Sequence, residues 1–70
     1  MMEGRVDDAL EIFTVLAELF PENDVAFDSL GEALVRLDEP EQATSAFRRA
    51  LEINPENRNS ARRLSEIQGG

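Results

Sequence analysis

The sequence predicts an all-α fold of about four helices, arranged as antiparallel hairpins. Apolar residues recur at spacings of three and four along most of the 70 residues, which is the period of a helix with one buried side. The prolines at positions 21, 40 and 55 divide the chain into four segments, because the residue before a proline disfavours helical geometry. No stretch alternates apolar and polar residues, and no Asn-Gly or Asp-Gly pair predicts a β-hairpin.

The first predicted helix covers residues 5–20 and is apolar on nearly every side. A helix of this kind is normally covered on more than one side. Two explanations stay open: a longer protein covers this helix, or two copies of the chain pack their first helices together as a homodimer. In either case large exposed apolar side chains indicate an interface, and the residues predicted to form it are Leu10, Ile12, Val15, Leu19 and Phe20.

The second and third helices have recognisable start signals. The side-chain oxygen of Asn23 is placed to accept a hydrogen bond from the first free N–H groups of a helix that runs to about Leu37. Pro40 is favoured at the first position of the third helix, predicted over residues 40–53. One side of this third helix is predicted to be core, and it consists of Ala43, Ala46, Phe47, Ala50 and Leu51.

The fourth predicted helix covers residues 58–67, with Asn57 as its cap. Its side chains are mostly polar around Ala61, Leu64 and Ile67. The terminal helix of a repeat array needs a polar outer face, so we expect this helix to cap the domain.

The chain repeats itself at an offset of 34 residues. This offset relates Ala9 to Ala43, Phe13 to Phe47, and residues 21–23 to residues 55–57. A fixed period of this length indicates helix pairs that stack as repeats. We therefore expect a single domain over residues 1–70. It would consist of the second helix of a partial repeat (5–20), one complete repeat (24–57) and a capping helix (58–67).

The residues of the complete repeat resemble the tetratricopeptide repeat family. The positions that carry the resemblance are Phe27, the pair Leu30-Gly31, Leu34, Ala43, Phe47, Ala50 and Pro55. Asp38 stands where the family usually has Gly between its helices, and Asp tolerates left-handed backbone geometry better than most residues. The resemblance implies a short right-handed superhelix that serves as a protein–protein interaction or scaffold module.

The resemblance also implies a concave groove that receives a partner. By register, the groove residues of this sequence are Val25, Asp28, Glu32, Val35 and Arg36 from the second helix and Asn59, Arg62 and Glu66 from the fourth. Asp28 and Glu32 have the wrong sign to clamp a partner's terminal carboxylate, so a protein or peptide of basic or mixed charge is the expected partner. Solvated surface charge without a ligand is the alternative explanation.

Composition excludes several other classes of function. The formal net charge is −8, which opposes binding to nucleic acids and to anionic membranes. The sequence has no His, Cys, Lys or Tyr, so it lacks the usual pairs for acid–base and nucleophilic catalysis. We predict no enzymatic activity, no metal site and no cofactor. No signal peptide or membrane span is recognisable, which predicts a cytoplasmic location.

A second, weaker resemblance concerns the larger context of the chain. The segment 20–33 together with the cap at residues 54–57 is similar to tails appended to some bacterial serine-hydrolase and esterase domains. This similarity implies an alternative function, namely a self-association or accessory C-terminal domain of a larger protein of hydrolytic type.

Overall fold

A computed structural model describes residues 4–69, with side-chain environments for residues 8–69. It contains four α-helices, α1 Gly4–Leu19, α2 Asp24–Arg36, α3 Pro40–Ile53 and α4 Arg58–Gly69. Residues 4–69 contain no β-strand. The predicted all-α class is therefore confirmed. The predicted helix limits differ from these bounds by at most two residues, with the largest difference at the end of α4.

The predicted helix caps are formed. The Asn23 side-chain oxygen accepts hydrogen bonds from the backbone N–H groups of Val25 at 2.9 Å and Ala26 at 3.3 Å. At the start of α4, the Asn57 side-chain oxygen accepts from the backbone N–H of Ser60 at 3.0 Å. Each cap satisfies donors that the first helical turn leaves free, so these asparagines fix where α2 and α4 begin.

The link between α2 and α3 reverses the chain within three residues. Asp38 has a φ angle of 60°, the left-handed geometry that the sequence places at this position. The backbone N–H of Glu39 donates to the Leu34 carbonyl at 2.9 Å, and that of Asp38 donates to the Val35 carbonyl at 3.0 Å. These bonds satisfy carbonyls at the end of α2, and the tight turn sets α3 antiparallel to α2.

The core lies where α2 and α3 meet. Leu34, Ala43, Ala46 and Phe47 form a buried cluster, and Phe47 has no exposed surface. The residues that pack against this cluster come from α1, α2 and α4, and they are Leu10, Leu30, Val35, Leu64 and Ile67. Small residues of α3 allow α2 to approach closely, while the Phe47 ring fills the space beside them.

The helices pack in chain order. α2 contacts both α1 and α3, and α3 contacts α4. Consequently α1 and α4 form the two ends of the stack. The described part of the chain measures 36 × 31 × 16 Å, a flat shape that leaves the outer sides of both end helices accessible.

Candidate functional site

The first candidate site is an exposed apolar face on α1. Its residues are Ile12, Val15 and Leu19, whose relative exposures are 57%, 49% and 66%. Their spacing of three and four places them on one side of the helix. Phe20, 54% exposed, follows directly after the helix. We call these four residues the α1 surface.

Leu10 lies apart from the α1 surface, although the sequence groups it with these residues. It is partly buried and packs against the core cluster. The buried side of α1 also includes Ala17, which is 5% exposed. The sequence shows that the first helix is apolar on nearly every side, but it does not distinguish the side that faces α2 from the side that faces away.

The edge of the α1 surface is acidic. Asp8, Glu11 and Glu18 are all exposed, and no basic residue occurs between Asp8 and Leu19. Glu11 and Glu18 are seven residues apart, so they lie on the same edge of the helix beside Ile12, Val15 and Leu19. The α1 surface therefore combines large apolar side chains with exposed carboxylates at its edge.

The second candidate site is the predicted groove, and here the structure brings the acidic residues of α2 against α4. Asp24, Asp28 and Glu32 are four residues apart and share one side of α2. We call them the carboxylate ladder. Each of the three accepts hydrogen bonds from the loop before α4 or from α4 itself, so none of them is simply solvated.

The first two rungs of the ladder bind side-chain amides and a hydroxyl. Asp24 accepts from the amides of Asn54 at 3.2 Å and Asn57 at 2.9 Å. Asp28 accepts from the Asn59 amide at 2.7 Å and from the Ser60 hydroxyl at 2.9 Å. Ser60 is completely buried, and its hydrogen bond to Asp28 satisfies the hydroxyl.

The third rung is an ion pair. The Arg63 guanidinium donates to both carboxylate oxygens of Glu32, from Nε at 2.7 Å and from Nη2 at 2.6 Å. The Asn59 amide also donates to Glu32, at 3.0 Å. The hydrogen bond from Arg63 lowers the pKa of the Glu32 carboxyl; partial burial opposes this effect, and the bond from Asn59 adds to it. Glu32 is therefore held in its ionised form by α4.

The other predicted groove residues have varied environments. Val25 is 62% exposed at the start of α2, and Arg36 is exposed at the end of α2. Val35 is partly buried against the core. On α4, Arg62 donates to the Asn59 side-chain oxygen at 2.6 Å, and Glu66 accepts from Arg63 at 3.2 Å.

Sequence reasoning assigned no role to Ser60, Arg63 or Asp24 in this site. Ser60 lies 34 residues after Ala26, and both are buried small residues. Because Ser60 and Ala26 are equivalent positions of the repeat, the sequence could have indicated that Ser60 faces inward. Arg63 offered no local signal, because its partner Glu32 is 31 residues away in sequence.

Neither candidate site carries the residues of a metal centre. Among the side chains of residues 8–69, no group of three or more His, Cys, Asp or Glu is arranged to hold a metal ion. In the same part of the chain, no helix is both long enough and apolar enough to cross a bilayer.

Comparison with known proteins agrees with the helical repeat geometry. The family model described as "Tetratricopeptide repeat" matches residues 1–67. Over 53 residues, the chain is 35% identical to the protein arginine N-methyltransferase 9 of Homo sapiens and to that of Mus musculus. That stretch is 76% of this chain but only 6% of each relative. No solved structure matches the chain at a significant level.

The family match covers nearly the whole chain, and the four helices, the left-handed turn at Asp38 and the buried Phe47 are consistent with it. The chain belongs to the tetratricopeptide repeat family.

Proposed function

We propose that this chain is a protein–protein interaction module that binds a partner protein through the α1 surface. The observation that carries the proposal is the exposure of Ile12, Val15 and Leu19, each about half or more accessible on one side of a helix. Fully burying an exposed side chain of this kind contributes roughly 1.5–3 kcal/mol; these three are already partly buried, so a partner that covers them gains about half of that from each. Membership of a family whose members generally bind proteins or peptides supports the same function.

The concave groove is a second route for partner binding, and the observations favour it less. A basic peptide that approached Asp28 or Glu32 would have to displace Asn59, Ser60 or Arg63, which already donate hydrogen bonds to these carboxylates. Without that exchange, the predicted groove residues left for a partner are mainly the exposed Val25, Arg36 and Arg62.

A pair of double variants tests which surface binds. Ile12→Glu with Val15→Glu disrupts the α1 surface, and Val25→Glu with Arg62→Glu disrupts the groove. All four positions are exposed, so we expect both proteins to keep the helical circular dichroism of the parent. In affinity capture of partner proteins, we expect the α1 variant to lose partners that the groove variant retains. Loss in the groove variant alone would instead assign binding to the groove.

We also propose, as the alternative function, an accessory or self-association domain of a larger protein. The chain spans 6% of the length of the curated relatives it matches, and these are named as methyltransferases, not hydrolases. In this alternative the 70 residues are non-catalytic and any enzymatic activity lies elsewhere in the polypeptide. Light scattering at increasing concentration separates self-association, in which the apparent mass rises, from binding to a different protein.

The expected partner is a cytoplasmic protein or peptide of basic or mixed charge. The acidic edge formed by Glu11 and Glu18 supports this choice over nucleic acids and anionic membranes, because both of these would bring further negative charge.

A further inference from the structure

We propose that the side chain of Asn59 is a site of spontaneous deamidation, and that its conversion to an acid releases α4 from α2. The site lies where the carboxylate ladder of α2 meets α4, and the reaction needs only water. This inference is independent of the proposed function, because it concerns the ladder and not the α1 surface.

The sequence distinguishes Asn59 from the other asparagines of the chain. Deamidation begins when the backbone nitrogen of the next residue attacks the side-chain carbonyl carbon, so a small next residue favours the reaction and a bulky one hinders it. Asn59 is followed by Ser60, whereas the other asparagines are followed by Asp24, Pro55 and Arg58. A proline nitrogen has no proton to lose, which excludes the asparagine before Pro55.

The reaction replaces an amide by a carboxylate and releases ammonia. The Ser60 nitrogen forms a bond to Cγ of Asn59, the bond between Cγ and Nδ2 breaks, and the proton of the Ser60 N–H leaves with the ammonia. Water then opens the cyclic imide to aspartate or isoaspartate at position 59. Position 59 is in the first turn of α4, so the additional backbone carbon of isoaspartate also disturbs the start of this helix.

The folded structure keeps the two reacting groups apart. The Ser60 N–H donates to the Asn57 side-chain oxygen at 3.0 Å. The Asn59 amide donates to Asp28 at 2.7 Å and to Glu32 at 3.0 Å. Asn59 can therefore react only when α4 opens. Among residues 58–69 of α4, Ser60 alone is buried, and an element with few buried contacts opens at a lower free energy than the core.

Conversion would turn the central donor of the ladder into an acceptor. Asp28 and Glu32 converge on the single amide nitrogen of Asn59. A carboxylate oxygen in the place of this nitrogen would lie 2.7 Å and 3.0 Å from two other carboxylate oxygens. Like charges at this distance repel, and two charge-assisted hydrogen bonds are lost at the same time. The acid therefore holds α4 on α2 much less strongly than the amide does.

Two weaker effects oppose this release. A negative charge in the first turn of α4 favours the helix dipole, and the Arg62 guanidinium already lies 2.6 Å from the side-chain oxygen of Asn59. Arg62 is exposed, so its ion pair with an acid at position 59 would contribute little. The two lost hydrogen bonds lie in the partly buried contact with α2, so their loss outweighs both gains. A chain that has reacted while open then fails to restore the closed contact.

Peptide mapping by mass spectrometry follows the conversion of each asparagine in the intact chain at mildly alkaline pH, with and without urea. In urea we expect Asn59 to convert fastest. Without urea we expect its conversion to be slower by roughly tenfold or more, because α4 is then open for less than about a tenth of the time. Faster conversion of Asn23 or Asn57 in urea, or equal rates of Asn59 in both conditions, would overturn the proposal.

Arg63→Ala tests whether the ladder protects Asn59. This variant removes the guanidinium that donates to Glu32 at 2.6 Å and 2.7 Å, so α4 opens more often while Asn59 and Ser60 are unchanged. We expect Asn59 to convert several times faster than in the parent without urea. Arg48→Ala is the matched control, since Arg48 is exposed on α3 and outside the ladder. Equal rates in the two variants would contradict protection by the ladder.

Hydrogen exchange of the backbone amides in Asn59→Asp measures the effect of the product. We expect the amides of α4 to exchange roughly tenfold faster than in the parent, with those of α2 and α3 unchanged. Asn59→Ala removes the donor without adding charge and should have a smaller effect. Asn23→Asp is the control for the added charge, because aspartate also caps a helix, and its exchange should match the parent.

Unchanged exchange of α4 in Asn59→Asp would overturn the release of this helix. An effect no larger than that of Asn59→Ala would overturn the repulsion between the three carboxylates. Neither result would affect the binding function proposed for the α1 surface, which is measured by partner capture.

Discussion

Phe47 lies against the backbone of α2 at Gly31. A glycine at this position has two opposing effects on stability. Glycine in a helix interior costs about 1 kcal/mol relative to alanine, because it loses more backbone entropy on folding. An alanine Cβ at position 31, however, would lie 2.6–2.8 Å from three atoms of the Phe47 ring. The ring is fully buried and has little room to move, so the steric effect outweighs the gain in helix propensity.

We therefore predict that Gly31→Ala lowers the free energy of unfolding by roughly 1–3 kcal/mol, the usual range for an overpacked core. Urea denaturation followed by circular dichroism measures the change. Gly69→Ala is the matched control, since Gly69 is also helical and a Cβ there meets no atom within 4 Å. An unchanged urea midpoint for Gly31→Ala would contradict the close approach of α2 and α3. Partial recovery on adding Phe47→Leu would support it.

At the scale of the elements, the carboxylate ladder fixes the position of α4 relative to α2. Three carboxylates spaced by four residues meet donors at positions 57, 59, 60 and 63, so a shift of α4 by one turn would break every rung. The three carboxylates and their donors could be taken for ordinary solvated surface residues. They instead hold α2 and α4 in register. The polar sequence of α4 reflects this contact as well as its place at the end of the stack.

The lowered pKa of Glu32 gives the ladder a pH dependence. In the unfolded chain this carboxyl has its ordinary pKa of about 4.3. A carboxyl whose pKa is lower in the folded state stabilises the fold above the unfolded pKa and loses this contribution as pH falls through the folded pKa. We predict that the wild-type chain loses more stability between pH 6 and pH 3 than Glu32→Gln does, and thermal melts across this range measure the difference.

Glu22→Gln is the control for the pH experiment. Glu22 is exposed in the link between α1 and α2 and is not part of the ladder. We expect its pH profile to follow that of the wild type. Parallel profiles for the wild type and Glu32→Gln would mean that the ion pair with Arg63 does not contribute to folding.

The elements that sequence reasoning predicted well are those with local signals. Asn23 and Asn57 were identified as caps because a capping side chain acts on N–H groups two or three residues away. Left-handed geometry is predicted for Asp38 because the tetratricopeptide repeat family usually has Gly at this position and Asp tolerates such geometry better than most residues. Leu37 was included in α2 but serves as its C-cap, a displacement of one residue.

The candidate sites were predicted less completely, because their geometry depends on distant residues. The sequence showed that Asp28 and Glu32 share a side of α2, but not that Asn59, Ser60 and Arg63 occupy that side. Periodicity assigns residues to a side of a helix and does not identify what packs there. For the same reason Leu10 was grouped with Ile12 and Val15, although it faces the core.

At the scale of the whole molecule, one side chain accounts for a large part of the total stability. A domain of 70 residues has roughly 4–10 kcal/mol in total, at about 0.05–0.15 kcal/mol per residue. Phe47→Ala removes the only phenylalanine that is fully buried among the described residues, and we predict a cost of roughly 3–5 kcal/mol. We therefore expect this variant to lose most of its helical circular dichroism at 37 °C.

Phe20→Ala is the matched control for this prediction. It removes the same ring from a position that is 54% exposed, so the expected cost is within about 1 kcal/mol. Similar melting temperatures for Phe47→Ala and the parent would refute the assignment of Phe47 to the core.

The order of the helices also separates charge across the molecule. From Asp8 to Leu19, α1 carries three carboxylates and no base, whereas α4 carries three arginines and one glutamate. The stack therefore has an electric dipole with its negative end at the α1 surface. At physiological salt this dipole acts on charged molecules within a screening distance of about 8 Å. A partner that binds the α1 surface, as proposed above, would meet the negative end of this dipole, which favours a partner of basic charge.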